Sequence, residues 1–436
     1  MARGRTSSEV VTRLLARSAT GGADLARMTS LVELLGRPDR AYPAIHVAGS
    51  DDTAPVARMI SSLLGALGLK AGTCGATHLQ DVSERVRVAI EPIDADELAD
   101  RAGELEPFLV ETDARHAEPV TFTEAMTALA CAHFADAPVD VAVLEAPDDA
   151  AGGPTAVARG DVVVVGGMAI DAPGAGSTVG AEAVRHVGVL DAGGVVVCAP
   201  QAPDVAEAVA RAAAERGAQL VVVGQDAAVA DRHLAVGGQH LALEGVTGRV
   251  DDIYLPLHGA HQAVSAACAL AAVEGFLGFA GGLAPEVIRE GFAAVRVPGR
   301  LEVVRRPDDA PVVVDVAGSP SAAQALATAV SEELAVRHRV LVAAMPADAD
   351  VHGILSPLLA VADHLVATVL DGVESASAAR LAAVGEHTGS TVETAEDLTA
   401  ALELASGLAT PEDLVVVTGS AQIAGQARTA LGLPLD

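Results

Sequence analysis

Apolar residues fall along this chain in two alternating rhythms. Short runs rich in Val, Ile and Ala read as buried strands. The longer stretches between them return an apolar residue every three or four positions, as a helix with one packed face does. The first half predicts strands over 45–48, 139–145, 162–169, 195–199 and 220–223. Helices are predicted from the turn after residue 48 to about Leu67, over 95–108, over 120–134 and over 204–216, with one or two lead-in helices in 8–36. Residues 72–88 read as a glycine-punctuated loop and then a strand of period two, and 240–243 with 248–255 as an antiparallel pair. Long helices follow over 259–277 and 285–294. Strands separated by helices indicate a largely parallel sheet.

Residues 297–311, with Pro298, Gly299, Pro307 and Pro311 among charged neighbours, break both rhythms and read as a hinge. A second strand–helix series follows, with strands over 312–317, 340–344, 365–369 and 414–419 and helices over 321–334 and from Ser375. The expected class is α/β. An N-terminal domain over 1–296 would be built on a mostly parallel sheet, with a hinge at 297–311 and a smaller Rossmann-like domain over 312–436.

Composition changes this picture in a few places. Hydrophobic residues make up 51% of the chain but aromatic ones only 2%, with no Trp, so Ala, Val and Leu must fill the cores. A net charge of −30 excludes the basic surfaces that nucleic acids and anionic membranes require. No apolar run reaches the length of a membrane span without Gly, Pro or charge. The basic N-terminal segment lacks the continuous apolar core of a secretory signal. Cys74, Cys131, Cys198 and Cys268 show no paired spacing and read as reduced core thiols, so a cytoplasmic location is expected.

The stretch 45–60 carries the most specific chemical pattern. A short strand, a turn at Gly49-Ser50 and an amphipathic helix reproduce the frame of a phosphate-binding loop. In such a loop, backbone N–H groups and the helix N-terminus hold a triphosphate while a lysine reaches its outer phosphates. No lysine is there. The chain's one lysine, Lys70, falls beyond the far end of the helix, roughly 25 Å from the turn at about 1.5 Å per helical residue. Asp51 and Asp52 stand where a phosphate would sit. With Thr53 and Pro55 they fit the first turn of a helix that caps itself with its own anions.

Other stretches give the order of segments a recognisable form. They are Tyr42-Pro43 leading into His46-Val47-Ala48-Gly49; His78-Leu79-Gln80 with Glu84-Arg85; residues 134–145; Leu255-Pro256-Leu257-His258-Gly259 with His261-Gln262; Pro298-Gly299-Arg300-Leu301-Glu302; and Val416-Val417-Thr418-Gly419-Ser420. On these, from about Val10 onward, the chain resembles the folylpolyglutamate synthase/dihydrofolate synthase family of the Mur ligase superfamily. The resemblance implies a P-loop-type ATPase domain followed by a Rossmann-like domain. It also implies an ancestral reaction in which MgATP activates a folate carboxylate as an acyl phosphate for attack by the amine of glutamate. It places Gly49, Ser50, Thr53, Arg300 and Asp315 at the nucleotide, Glu145 at magnesium, and His78, Gln80 and His186 along the substrate cleft.

Most of the family's reactive positions carry other residues here. Its glycine–lysine pair falls on Asp52 and Thr53, and the next glycine and serine on Ala54 and Pro55. Its magnesium-holding loop serine falls on Ala76, and its glycine-rich segment after the third strand on 146–151. Its metal-binding histidine, after a retained Asp171, falls on Ala172, its modified lysine near His186 and its asparagine on Ser265. In the second domain its Asp-x-x-His-Asn-Pro pattern has become 315–320, and the lysine of the next motif is Ala349.

The surviving residues have plainer readings beside the functional ones. Glu145 at a strand end would serve a magnesium ion or cap the next segment. Arg300 would meet a phosphate or pair with Glu302 or a domain-face carboxylate. His78 would touch a ligand or hold its own loop, and His258 with His261 read as structural. Asp148-Asp149 and Asp308-Asp309 read as solvated charges, and Gly166-Gly167 and Gly193-Gly194 as turns without a dinucleotide fingerprint. Losing the lysine and the metal ligands together removes nearly all the charge stabilisation on which phosphoryl transfer depends. The expectation is a catalytically inactive paralogue with a binding or scaffolding role, no firm cofactor, and MgATP only if the site still functions. It would hold a folate-like or other small molecule, or partner an active paralogue. The alternative is a working acid–amino-acid ligase with a rebuilt site; a dehydrogenase-like nucleotide binder rests on fold analogy alone.

Overall fold

The computed structural model describes residues 7–17, 24–50, 52–146, 153–168 and 178–435. Its strands in the first half are β1 (Ala44–Ala48), β2 (Ala71–Cys74), β3 (Val86–Val88), β4 (Glu91–Pro92), β5 (Val141–Ala146), β6 (Gly160–Val165), β7 (Leu190–Cys198) and β8 (Gln219–Val222). They form one sheet in the order β4-β3-β2-β5-β1-β6-β7-β8, parallel from β2 to β8, with β3 and β4 antiparallel at one edge. Every residue of β1 and β5 is buried, because helices cover both faces of the sheet. On one face Ile45, Val47, Val143 and Val164 pack with the helices Thr53–Ala66, Ala260–Phe276 and Pro285–Ala293. On the other, Ala44 and Leu144 meet Leu25–Leu34, Ala95–Arg115 and Phe122–Asp136, while Val163 and Val196 meet Val179–Val187 and Pro203–Glu215.

The antiparallel pair expected near residue 240 is a three-stranded meander of β9 (Ala228–Ala235), β10 (Gly238–Glu244) and β11 (Arg249–Leu255). It covers the outer side of Ala260–Phe276, which explains why that helix is apolar all round. The loop expected from residue 72 is corrected. Ala71–Cys74 is itself a strand, and its glycine lets Phe134 pack directly on the backbone, with the ring 2.7 Å from where a Cβ of residue 72 would stand.

The second domain is a six-stranded sheet of β12 (Glu302–Val304), β13 (Val312–Val314), β14 (Arg339–Ala343), β15 (His364–Ala367), β16 (Thr391–Thr394) and β17 (Leu414–Thr418). Their order is β12-β13-β17-β14-β15-β16, parallel except for β12. Helices Pro320–Glu333, Val351–Leu359 and Ala378–Thr388 pack on one face, Leu398–Leu408 and Ala421–Ala430 on the other. β12 lies inside the segment expected as the hinge, so that segment supplies an edge strand to the second sheet.

Two polar clasps hold the domains together. In one, Arg428 of Ala421–Ala430 pairs with Glu302 and donates from Nε to Gln80 Oε1 at 2.9 Å. In the other, Glu333 at the end of Pro320–Glu333 pairs with Arg232 and accepts from the Gly259 amide at 2.9 Å, with His258 Nδ1 at 3.1 Å. Among the described residues no helix is long and apolar enough to cross a membrane.

Candidate functional site

β1 is flanked by β5 and β6, yet the chain leaves it through Thr53–Ala66 to β2 on one side and crosses it from β5 to β6 on the other. Such a switch point leaves a crevice beyond the C-terminal strand ends. Gly49 opens it. Its φ is 152°, and a Cβ there would meet the Cα of Gly166 at 3.2 Å, so only glycine fits between the turn and the loop after β6. The Ser50 amide closes the turn by donating to Gly167 O at 3.0 Å.

Asp52 stands at the N-cap of Thr53–Ala66 but makes no side-chain capping hydrogen bond. The expected self-capped helix start is corrected to that extent, and Asp51 lies outside the described residues. Asp52 instead borders a cavity of about 210 Å³ shared with Gly167, His261, Arg300, Asp315 and Ser321. Asp315 is buried and accepts from the Leu301 amide at 2.8 Å. Burial raises its carboxyl above the usual value; Arg300, that amide and His261 oppose the rise and Asp52 adds to it. Two carboxylates thus border the space at the helix start.

Thr53 faces the other way. Its hydroxyl donates to Glu145 Oε2 at 3.3 Å, and the Ala76 amide reaches the same oxygen at 3.4 Å. Glu145 is 5% exposed at the end of β5. Burial pushes its carboxyl up, opposed by the Ala76 amide, Arg58, Thr53 and Arg300 in that order. Glu145 ties the Ala76 loop to the helix start. Glu302 pairs with Arg428, and the charge of Arg300 acts on Glu145 and Asp315. Arg58 has no motif to mark it; the one signal is that it is the only charged residue in Thr53–Ala66.

The three substrate-cleft candidates separate. His78 borders a small cavity beside Glu145 and Arg300, and its Nδ1 accepts from Arg85 Nε at 2.9 Å. Burial and then the Arg85 charge lower its pKa, so it stands as a neutral acceptor that orients Arg85 over the Phe122 ring. Gln80 lies in the first clasp: its amide donates to Thr429 Oγ1 and Leu433 O while its carbonyl holds Arg428. His186 lies apart from both. It is 1% exposed on Val179–Val187, borders neither cavity, and has neither ring nitrogen hydrogen-bonded. Burial, then Arg185 and His46, push its pKa down to about 4. His258 is structural, held by Glu333, whereas His261 lines the 210 Å³ cavity. Asp148, Asp149, Asp171 and Ala172 lie outside the described residues.

A family model described as Mur ligase, glutamate ligase domain, matches residues 299–421. The chain is 37% identical to a dihydrofolate synthase/folylpolyglutamate synthase of Mycobacterium tuberculosis, over 94% of this chain and 90% of that one. A folylpolyglutamate synthase of Lacticaseibacillus casei is 29% identical over 94% of each chain. Among solved structures, Mycobacterium tuberculosis folylpolyglutamate synthase complexed with ADP matches with a TM-score of 0.93 at 35% identity, over 99% of both chains. Because the likeness runs through both domains and the switch-point crevice between them, the chain belongs to the folylpolyglutamate synthase/dihydrofolate synthase family.

Proposed function

We propose that this protein keeps the folate-ligase architecture as a binding protein: it holds a small, folate-like molecule in the interdomain crevice and does not ligate glutamate. The observation that carries the reading is an inversion of charge at the crevice. Where a triphosphate would need a lysine and a run of backbone donors, Asp52 stands at the helix start and borders the 210 Å³ cavity, with Asp315 facing Arg300 and His261 across it. Where a divalent cation would need several hard ligands, Glu145 is buried, accepts at one oxygen from Thr53 and Ala76, and feels the positive charges of Arg58 and Arg300. Lys70 cannot compensate, because its ammonium donates to Ala137 O at 2.9 Å beyond the other end of the helix. The residues present therefore do not fit MgATP. The ligand class follows from the relatives, since a folate offers a flat, hydrogen-bonding heteroaromatic ring system with a carboxylate tail. A partnership with an active paralogue and a cytoplasmic location belong to the same reading; the four cysteines, all buried and free, suit a reducing compartment.

The test is direct. Purified protein is incubated with MgATP, glutamate and a reduced folate, and its unfolding midpoint is followed with each ligand alone. The reading expects no ATP-dependent glutamate transfer, no shift with MgATP, and a shift of a few degrees with folate near 100-fold over Kd. Turnover would overturn it.

A second reading has one observation in its favour. Arg58 and Arg300 both act on Glu145, and two arginines could take over the charge that a lysine supplies elsewhere, although a planar fork does not replace an ammonium atom for atom. An active ligase with such a rebuilt site must bind MgATP, with an affinity that falls on Glu145→Ala.

A further inference from the structure

The meander turns Leu241, Leu243, Ile253 and Leu255 inward to the core and leaves a polar row on its outer face. The two-residue turn Val236-Gly237, with Gly237 at a φ of 77°, joins β9 to β10 and fixes their register. That register sets His240 directly opposite His233 on one side and opposite Tyr254 on the other. Directly opposed residues of antiparallel strands share a face, so the three rings form one cross-strand row. Both histidines are exposed. The Tyr254 hydroxyl donates to Val236 O at 3.1 Å, and its ring packs against His240 with centroids 5.5 Å apart. At the other end of the row His233 Nε2 meets Asp231 Oδ2 at 2.9 Å.

We propose that His233 and His240 are a chelating pair for a divalent transition-metal ion of the Zn²⁺ or Cu²⁺ class. Opposed strand side chains have Cβ atoms about 4.5–5.5 Å apart. From that span two imidazoles reach one ion at about 2.0–2.1 Å each. Imidazole suits these ions, whereas Mg²⁺ and Ca²⁺ take oxygen ligands. Asp231 supports the pair from behind. A carboxylate accepts, so Nε2–H of His233 donates to it, which leaves the lone pair on Nδ1 and makes the ring a stronger ligand. The described residues hold no ready group of three His, Cys, Asp or Glu ligands. Two imidazoles with water therefore make up the shell, and the affinity is micromolar, below that of a structural zinc site. The net charge of −30 draws cations to the surface. Arg232 and Gln239, next to these histidines on the same strands, point to the opposite face, where they bond each other and Arg232 takes Glu333. An ion across β9 and β10 thus staples the two strands on which that interdomain clasp is built. The site lies outside the crevice and does not depend on what the crevice holds.

The experiment titrates the full chain at neutral pH with Zn²⁺ by calorimetry and with Cu²⁺ by electron paramagnetic resonance. Micromolar Zn²⁺ binding is expected, with a Cu²⁺ signal split by two ring nitrogens. His233→Asn and His240→Asn should each lower the Zn²⁺ affinity about 100-fold, because a chelate loses the effective concentration of its second ligand. The double variant should lose little more. Asp231→Asn should weaken binding about tenfold. His352→Asn, which removes an exposed histidine of Val351–Leu359, should change nothing. Saturating Zn²⁺ should raise the unfolding midpoint by a few degrees in the parent and in neither single-histidine variant. Metal-free midpoints should match, since both side chains are exposed. No binding, an equal loss in His352→Asn, or single losses that add in the double variant would overturn the proposal.

Discussion

Glu145 illustrates how a single side chain can keep its place while its surroundings change. In this chain its carboxylate accepts from Thr53 and Ala76 and balances Arg58 and Arg300. Glu145→Gln retains an acceptor and should cost less than about 1 kcal/mol. Glu145→Ala leaves the Thr53 and Ala76 donors without their acceptor and should cost about 1–3 kcal/mol in urea unfolding; equal losses would contradict this account. His46 and His186 carry a different prediction. Burial holds both imidazoles near a pKa of about 4, while the unfolded chain takes protons at about 6.5. The unfolded state therefore binds more protons in that window. Stability is fully present above about pH 6.5 and is lost as the pH falls toward 4, by about 1.4 kcal/mol per pH unit for each histidine. Urea unfolding at pH 7 and pH 5 checks this, and His186→Leu should remove half of the two-histidine loss.

Among elements, the loop 78–81 and the helix Ala421–Ala430 meet with no room to spare. A Cβ on Gly425 would strike the Leu79 carbonyl, which is backbone and held in place because the Leu79 and Gln80 amides both donate to Glu84. Gly425→Ala should therefore cost about 1–3 kcal/mol or more. It should also speed hydrogen exchange at the Leu79 and Gln80 amides, and unchanged exchange would count against the contact. The sequence made most elements legible because their apolar runs are long. The helices Val351–Leu359, Leu398–Leu408 and Ala421–Ala430, and strand β9, escaped it, as did Val179–Val187 and the short strands β4, β12 and β16. β9 alternates between half-buried and exposed positions at the edge of the meander, and so leaves no apolar run. Pro357 inside one helix and the small residues of the other two blur their period.

For the molecule as a whole, the clasps decide whether there is a crevice at all. Arg428→Ala would leave the half-buried Glu302 without its cation and the Gln80 carbonyl without its donor. A loss of about 1–3 kcal/mol is expected, with a larger radius of gyration by small-angle scattering as the domains part. A variant that melts and scatters like the parent would show that the second clasp, at Glu333, suffices.

The sequence by itself determined the two α/β domains, the turn at Gly49, the missing lysine and the family, because each rests on local pattern or on the order of segments. Only the tertiary structure decided what the surviving polar residues do. Gln80 meets residues nearly 350 positions away, the charge of Arg300 acts on Glu145 and Asp315 while Arg428 pairs with Glu302, and His186 feels His46 inside the protein. Charge, burial and hydrogen-bond partners are properties of neighbours in space. No spacing along the chain records them.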